Sequence, residues 1–184
     1  KVVMPSNATD AGSLLLAALD DPNPVLVLEH KLLYKQSFEV PDEFPAARLG
    51  EGRIERAGTD LTIVATSVEV QRSVEAAEQL AADGISVEVI DPRTIKPLDV
   101  PLILESVSRT GRVLLVQEAP KFAGFMAEVA ATIAESEVFG DLQAPIRRLC
   151  GLDTPIPYSP KLERASVPQV DDIVREATAL VGEW

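Results

Sequence analysis

Apolar residues along the chain alternate between short continuous runs and positions spaced as on one face of a helix. The run Leu61–Ala65 is followed by apolar residues at intervals of four, three and four, and then by a second run at residues 85–90. The runs indicate buried strands, and the intervals indicate a helix between them. Residues 60–99 therefore contain a strand-helix-strand unit, and a crossover of this length makes its two strands parallel.

The same unit predicts which helix face is buried and where the helix ends. Gly84 follows Asp83, and a glycine there can adopt the left-handed conformation that ends a helix. The predicted inner face carries Val70, Val74, Ala77 and Ala81, and the opposite face carries Glu69, Arg72, Glu75 and Glu78.

Further elements are predicted in the second half of the chain. We expect Asp99 to cap a helix over Val100–Thr110 that ends at Gly111. Residues 113–116 form the most uniformly apolar run, which places this strand at the centre of the sheet. A helix over 124–136, an edge strand over 145–149, a long loop over 151–168 and a last helix over 168–181 follow. Their predicted buried residues are Met126, Val129, Ala130, Ile133, Val170, Ile173, Val174, Ala177 and Val181.

The first 59 residues have a weaker pattern. A strand at 2–4, a helix from Asn7 or Thr9 to about Leu19, and an apolar strand at 25–28 indicate the edge of an α/β domain. Residues 35–59 carry prolines, glycines and mixed charge, which indicates a linker with a short strand near 52–56. We therefore expect residues 1–34 to end one domain, 35–59 to be a linker, and 60–184 to form a second domain.

Two more expectations concern this first part. Leu15, Ala18 and Leu19 are among the predicted inward residues of its helix. The strand at 25–28 is apolar at every position, like strands that are buried on both faces, so its neighbours should precede Lys1. The chain also begins within a fold, and we expect that a part of the protein precedes it.

Charge and composition limit the kinds of partner. Of the 184 residues, 46% are hydrophobic, which is enough for a core, and the formal charge is −12. This charge argues against a nucleic-acid partner, because phosphate-binding surfaces are positive, and it favours a basic protein. No apolar run approaches the roughly 20 residues that span a bilayer, so we expect no membrane partner. Cys150 is the one cysteine, which excludes an internal disulfide.

Three side chains are candidates for local chemistry. Glu118 follows the predicted central strand at its carboxyl end, where open parallel sheets bind ligands, and Lys121 could pair with a ligand carboxylate there. The alternative for Glu118 is a charge that stabilises the turn. His30 could serve in a Ser-His-Asp triad, but a structural role at a strand end is favoured. Cys150 follows two arginines, which lower a thiol pKa, yet its strand-end position favours a buried, inert thiol.

Five segments together carry a resemblance to a known family. They are Val-Met-Pro-Ser at 3–6, Leu-Glu-His-Lys-Leu-Leu-Tyr at 28–34, Ile-Asp-Pro-Arg-Thr-Ile-Lys-Pro-Leu-Asp at 90–99, Gln-Glu-Ala-Pro-Lys at 117–121 and Asp-Thr-Pro-Ile-Pro-Tyr at 153–158. Residues 90–99 resemble the conserved turn of the transketolase C-terminal domain. Together the segments are similar to the C-terminal part of the β subunit of the E1 component of 2-oxoacid dehydrogenase complexes, of the pyruvate or acetoin type.

The resemblance implies a fold and an activity. The implied fold is α/β, a mixed and mainly parallel five-stranded sheet flanked by helices and preceded by the edge of a second α/β domain. The implied activity of the complete assembly is decarboxylation of a 2-oxoacid on thiamine diphosphate and Mg²⁺, followed by acyl transfer to the lipoyl group of E2. The implied partners are the E1 α subunit, a second β subunit and the E2 acyltransferase, in the bacterial cytoplasm or the mitochondrial matrix.

The same resemblance assigns no catalytic or cofactor-binding residue to this chain. No Gly-Asp-Gly motif with a following asparagine is present, so a Mg²⁺-diphosphate site cannot be placed here. The glutamate that faces the aminopyrimidine in such enzymes is expected before Lys1. The implied role of the chain is therefore to assemble the subunits and to present a surface to E2, and we expect the chain alone to be inactive.

Two sites follow from the resemblance. The segment after the first helix is similar to a structural potassium site, in which backbone carbonyls join a carboxylate and an amide oxygen. Its positions are Ala18, Leu19, Asp21 and Asn23. Pro22 departs from the family pattern, and a plain turn is the alternative. Trp184 would bind a basic subunit-binding domain of E2, with packing on the last helix or a frayed end as the alternative.

Other functions stay open at this point. The substrate could be acetoin or a branched-chain 2-oxoacid in place of pyruvate, or the enzyme could be another transketolase relative, such as transketolase itself or deoxyxylulose-phosphate synthase. A non-enzyme alternative is a stand-alone α/β binding module for a nucleotide. The turn at 65–69 argues against that module, because it lacks the glycines that let a backbone approach phosphates.

Overall fold

The computed structural model describes residues 1–182 and has an α/β architecture, as predicted. The strands are β1 (Val2–Val3), β2 (Leu26–Val27), β3 (Arg53–Arg56), β4 (Leu61–Ala65), β5 (Val87–Asp91), β6 (Thr94–Lys96), β7 (Val113–Pro120) and β8 (Arg147–Gly151). The helices are α1 (Ala8–Asp20), α2 (Val68–Ala82), α3 (Val100–Thr110), α4 (Phe125–Ala134), α5 (Pro160–Ser166) and α6 (Val170–Gly182), with 3₁₀ turns at Leu33–Lys35 and Glu137–Asp141. Among these helices, none is both long and apolar enough to cross a membrane.

The larger sheet has five strands in the order β3-β5-β4-β7-β8, which confirms the mixed, mainly parallel sheet. Strand β4 pairs in parallel with β5 and β7, and β7 pairs in parallel with β8, whereas β3 is antiparallel to β5. The prediction that residues 113–116 lie at the centre is wrong. The chain passes from β4 to β5 on one side and returns to β7 on the other, so β4 is central and β7 is its neighbour.

Helices cover both faces of this sheet. On one face α2 and α6 pack on β4, β5 and β7, and on the other face α3 and α4 pack on the alternate residues of the same strands. Of the predicted inner face of α2, Val70 and Ala77 are fully buried, but Ala81 is exposed and Leu80 is buried in its place. Glu69, assigned above to the outer face, is also fully buried.

The smaller sheet has three strands in the order β2-β1-β6. Strand β1 pairs in parallel with β2, with Val2 opposite Leu26, and antiparallel with β6. The expectation that all neighbours of the strand at 25–28 precede Lys1 is therefore wrong on one side, because β1 is one of them. The side chain of Leu26 is 62% exposed in this chain, so the strand is not buried on both faces here.

Helix α1 turns most of its leucines outward. Asn7 caps it, accepting a hydrogen bond from the Asp10 backbone N–H at 2.8 Å, as predicted. Leu14 is fully buried, but the predicted inward residues are not: Leu15 is 47% exposed and Leu19 is 73% exposed. The helical spacing identified an apolar stripe but could not show which side of the helix faces the rest of this chain.

The predicted ends of α2 and α3 hold, whereas strand β6 and helix α5 were not predicted. Gly84 and Gly111 end α2 and α3 in the left-handed conformation, with φ of 81° and 68°. Asp99 caps α3, and its carboxylate accepts from the Leu102 backbone N–H at 3.2 Å. The segment 151–168 is not a plain loop, because it contains helix α5, which has a proline in its first turn.

Candidate functional site

Two residues that the sequence singled out separately meet in the structure. His30 lies after β2 and Glu118 lies within β7, and the His30 Nε2 is 2.5 Å from the Glu118 Oε2. Both side chains are partly buried. The pair therefore ties the first part of the chain to the carboxyl end of the larger sheet, which supports the structural role favoured for His30.

The hydrogen bonds of His30 argue against a role as a general base. Its Nδ1 accepts the Leu32 backbone N–H at 3.2 Å, which requires that nitrogen to be unprotonated. The proton is then on Nε2, which donates to Glu118. Neither ring nitrogen is left to take a proton from a serine, so the Ser-His-Asp alternative fails on geometry.

Ser67 occupies the turn between β4 and α2 in a strained conformation. Its φ and ψ are 54° and −128°, a region in which residues other than glycine are uncommon. Its Oγ is buried and makes no hydrogen bond in the described structure. Strained residues cluster at functional sites, and a buried hydroxyl without a partner is rare; neither feature is visible in the residues around Ser67 in the sequence.

A cavity of about 480 Å³ opens where these residues lie. Its polar lining comes from the turn after β4 and from β7, and includes Ser67 and Glu118, with His30 beside them. Its walls are mostly apolar and come from both sheets, from α4 and from the segment before α5. The apolar and small lining residues are Met4, Leu28, Ile95, Ala119, Pro120, Phe125 and Ile156.

A buried acid follows Ser67 by two residues in the chain. Glu69 is fully buried at the start of α2, where its Oε1 accepts from Arg72 Nη1 at 2.6 Å and its Oε2 has no partner in the described structure. Burial raises the pKa of Glu69 to about 7, and the negative charge of Glu118 contributes to the increase, whereas Arg72 opposes it. Burial therefore disfavours the ionised form of Glu69.

The predicted potassium positions lie at the end of α1. The helix ends at Asp20, and the carboxylate of Asp21 accepts from the backbone N–H of Asn23 at 2.9 Å and from its side-chain amide at 3.1 Å. The Lys1 ammonium also binds Asp21, and this contact with the Asn23 bonds lowers the pKa of Asp21 to about 2. Ala18 and Leu19 form the last turn of the helix. A cation here would share Asp21 with Lys1, and the site stays a prediction.

One group of acids in the described residues could in principle hold a metal ion. Asp10, Glu55 and Asp91 place carboxylate oxygens within 4.8 Å of one another. The guanidinium groups of Arg53 and Arg93 already bind this group, at 2.6 Å and 3.1 Å from Asp10. These residues therefore form a buried ionic cluster that joins α1 to β3 and β5, and they do not fit a Mg²⁺-diphosphate site.

Four sequence candidates remain, of which Glu118 is already described above. The pKa of Cys150 is raised, chiefly by burial, although Arg148 and Lys121 oppose the increase, which agrees with an inert thiol. Lys121 is exposed, and its backbone carbonyl accepts from Arg148. Glu118 is paired with His30. Trp184 lies outside the described residues.

This chain is similar in sequence to a known protein family and to named proteins. Residues 50–173 match the family described as transketolase, C-terminal domain. The pyruvate dehydrogenase E1 component subunit beta of Rhizobium meliloti is 43% identical over 98% of this chain and 39% of its own length. The mitochondrial pyruvate dehydrogenase E1 component subunit beta of Caenorhabditis elegans is 45% identical over 95% of this chain and 51% of its own length.

Two further similarities extend this result. The acetoin:2,6-dichlorophenolindophenol oxidoreductase subunit beta of Bacillus subtilis is 40% identical over 100% of this chain and 53% of its own length. A solved structure described as split gene transketolase, inactive beta4 tetramer, matches with a TM-score of 0.79 and 24% identity, over 98% of this chain and 56% of that one. The chain thus spans about half the length of the curated relatives it matches.

Proposed function

The chain belongs to the transketolase C-terminal domain family, and on that premise we propose that it forms the C-terminal part of an E1 β subunit in a pyruvate dehydrogenase complex. The observation that carries the proposal is the 43% to 46% identity, over nearly the whole chain, to relatives named pyruvate dehydrogenase E1 component subunit beta. These names also confirm the resemblance predicted from the five sequence segments, including its acetoin type.

The proposed contribution of this chain is assembly. Within the described residues, the acids close enough to share a metal ion are already bound by arginines, and His30 has no free base, so we assign no catalytic step to the chain. Thiamine diphosphate and Mg²⁺ would be held by other parts of the complete enzyme. This chain alone should show no turnover.

Apolar surface supports a role in subunit contacts. Helix α1 presents Leu15, Leu16 and Leu19 outward, and β2 at the edge of the smaller sheet exposes Leu26. An apolar group of this kind on a domain edge is a typical subunit contact. We propose that these residues contact the α subunit or a second β subunit.

Three finer parts of the proposal concern ligands, partners and location. Potassium would bind at Ala18, Leu19, Asp21 and Asn23, and E2 would bind through a surface that includes Trp184. The net charge of −12 would attract a basic E2 domain. The complex would lie in the bacterial cytoplasm or, in a eukaryote, in the mitochondrial matrix, in keeping with the mitochondrial and bacterial names among the relatives.

A chimaera tests this function. Residues 1–184 would replace the matching part of the Rhizobium meliloti β subunit, and the product would be co-expressed with that enzyme's α subunit. We expect an assembled E1 that decarboxylates pyruvate when thiamine diphosphate and Mg²⁺ are supplied. A folded chimaera that neither binds the α subunit nor turns over any 2-oxoacid would contradict the proposal.

The same chimaera separates the substrate alternatives. The acetoin-type relative matches the full chain at 40% identity, so acetoin is the second candidate substrate. The assay compares the turnover of pyruvate, acetoin and 2-oxoisovalerate by the chimaera with that by the unmodified Rhizobium meliloti enzyme. A change in the preferred substrate would show that this half of the β subunit determines the substrate class.

A further inference from the structure

The 480 Å³ cavity lies at the topological switch point of the larger sheet. From β4 the chain first moves outward to β5 and then crosses to β7 on the opposite side. The connections that leave β4 and β7 therefore diverge onto opposite faces of the sheet, α2 on one and α4 on the other. Open α/β sheets bind ligands in the crevice that this divergence creates at the carboxyl ends of the strands.

The lining of the cavity has the composition of a ligand site. Most of it is apolar, and the polar groups are few, as in small-molecule pockets. Ser67 contributes a hydroxyl that is buried and unpaired, in a strained backbone conformation with φ of 54°. A buried hydroxyl without a partner is unfavourable, and a ligand that bonds to it would remove this penalty.

The charges around the cavity determine whether it favours a cationic or an anionic ligand. His30 is neutral in the tautomer that its hydrogen bonds require, so it does not cancel the negative charge of Glu118. Glu118 has accepting capacity beyond its bond to His30, because a carboxylate accepts several hydrogen bonds. An anionic ligand would be repelled, and the turn at 65–69 lacks glycines for a phosphate. A cationic donor on an apolar body matches both the walls and the charge.

We propose that this cavity binds a small primary amine with an apolar body, whose ammonium group donates hydrogen bonds to Glu118 and Ser67. The amine occupies the crevice between the two sheets and contacts Ile95 and Phe125 with its apolar part. The site does not depend on the assembly role of the chain, because it uses residues of this chain alone.

Three probes of one shape test the proposal. Benzylamine, benzyl alcohol and benzoate share a ring and differ in charge, and each would be titrated into the 184-residue chain while methyl signals are followed by NMR. We expect saturable shifts with benzylamine at the methyl groups of Met4, Ile95 and Ile156, with benzyl alcohol about tenfold weaker because its donor is uncharged. Benzoate should not bind. Binding of benzoate as tight as that of benzylamine would overturn the proposal.

Matched variants locate the ammonium group. Glu118→Gln should weaken benzylamine about tenfold or more, and Ser67→Ala should weaken it several-fold, since each removes one acceptor. Glu105→Gln makes the same charge change on the exposed face of α3, outside the cavity lining, and should leave the Kd unchanged. Unchanged affinity in Glu118→Gln would refute the site.

A further variant covers the case in which Glu118→Gln unfolds the protein by weakening its bond to His30. His30→Ala removes the same bond but keeps the charge of Glu118, so it should retain or strengthen benzylamine binding. If His30→Ala remains folded and no longer binds benzylamine, the assignment of Glu118 as the ammonium acceptor is wrong.

Discussion

Burial raises the pKa values of two acids, Glu69 and Asp91, to about 7. Asp91 is fully buried, its Oδ1 accepts the Arg93 backbone N–H at 2.7 Å, and its Oδ2 has no partner in the described structure. Burial raises the pKa of Asp91 from 3.8 to about 7, and the nearby charges of Glu55 and Asp10 raise it further. Burial therefore makes the ionised form of Asp91 unfavourable in the folded protein.

Asp91→Asn should therefore remove a pH-dependent loss of stability. Between about pH 4 and 7 the unfolded chain releases a proton that the folded chain keeps, so the free energy of unfolding falls as pH rises and levels off above about 7. The variant should be more stable than the parent at pH 8, by up to about 4 kcal/mol, and similar to it near pH 4. Urea unfolding across this range measures the effect.

A surface aspartate provides the control for this prediction. Asp42→Asn changes the same group at an exposed loop position, and its stability should follow that of the parent at every pH. Equal pH profiles for the parent and Asp91→Asn would show that Asp91 is ionised in the folded protein at all pH values above 4.

The sequence identified single residues of the candidate site but not the residues that they contact in the fold. His30 and Glu118 were each recognised from their own neighbours, but 88 residues separate them, and only the packing of the two sheets brings them together. Ser67 carries no local signal, because its strained φ is imposed by the turn from β4 into α2 and serine is not a residue that needs such a conformation. Glu69 was misplaced because helical spacing does not foresee burial with Arg72.

Among the elements, α3 shows how one side chain can hold both a helix end and a neighbouring segment. Asp99 accepts from Leu102 N–H within the helix and, through its other oxygen, from the Gly52 backbone N–H at 2.9 Å. The residues before β3 are thereby fixed to the start of α3. The cap was predictable from sequence, and the bond to Gly52 was not.

Asp99→Ala should destabilise the protein by about 1–2 kcal/mol, the typical cost of losing an N-cap, with a further penalty for the unpaired Gly52 N–H. Asp99→Asn keeps an oxygen for the cap but turns its N–H₂ toward the Gly52 N–H, so it should lose only the Gly52 bond and cost less than Asp99→Ala. The urea midpoints of both variants give the measurement. Equal losses for the two substitutions would show that the bond to Gly52, and not the cap, carries the stabilisation by Asp99.

Elements with a strong local pattern were predicted well, and the misses have physical causes. The strands and helices of the larger sheet follow from apolar runs and helical spacing, and Gly84 and Gly111 mark the ends of α2 and α3. Helix α5 was missed because four prolines in 151–168 suggested a loop, although one of them starts the helix. Strand β6 was missed because Thr94–Lys96 extends only to meet β1, a partner 91 or more residues away.

On the scale of the whole molecule, helix α1 carries leucines that this chain itself leaves exposed to solvent. Leu16 is 51% exposed and Leu19 is 73% exposed on the outer side of α1. In the proposed assembly they lie against another subunit, and then their role is in association and not in the stability of the chain itself.

Leu16→Gln combined with Leu19→Gln should change the free energy of unfolding by about 0.5 kcal/mol or less, because both side chains are exposed. In the Rhizobium meliloti chimaera the same pair should shift the subunits from assembled to dissociated, as measured by native mass spectrometry. Leu14→Ala, on the buried side of the same helix, should cost about 2–5 kcal/mol. An assembly unaffected by the double variant would show that this face is not a subunit contact.

The pairing of strand β1 limits which segment of this chain can be exchanged between proteins by recombination. Val2–Val3 pairs on one side with β2 and on the other with Thr94–Lys96, which lies inside the span shared with the transketolase family. Excising that span would leave Thr94–Lys96 as a bare edge, open to pairing with foreign chains. Recombination that keeps these backbone hydrogen bonds must therefore exchange a segment longer than residues 50–173. This segment extends back at least to Val2.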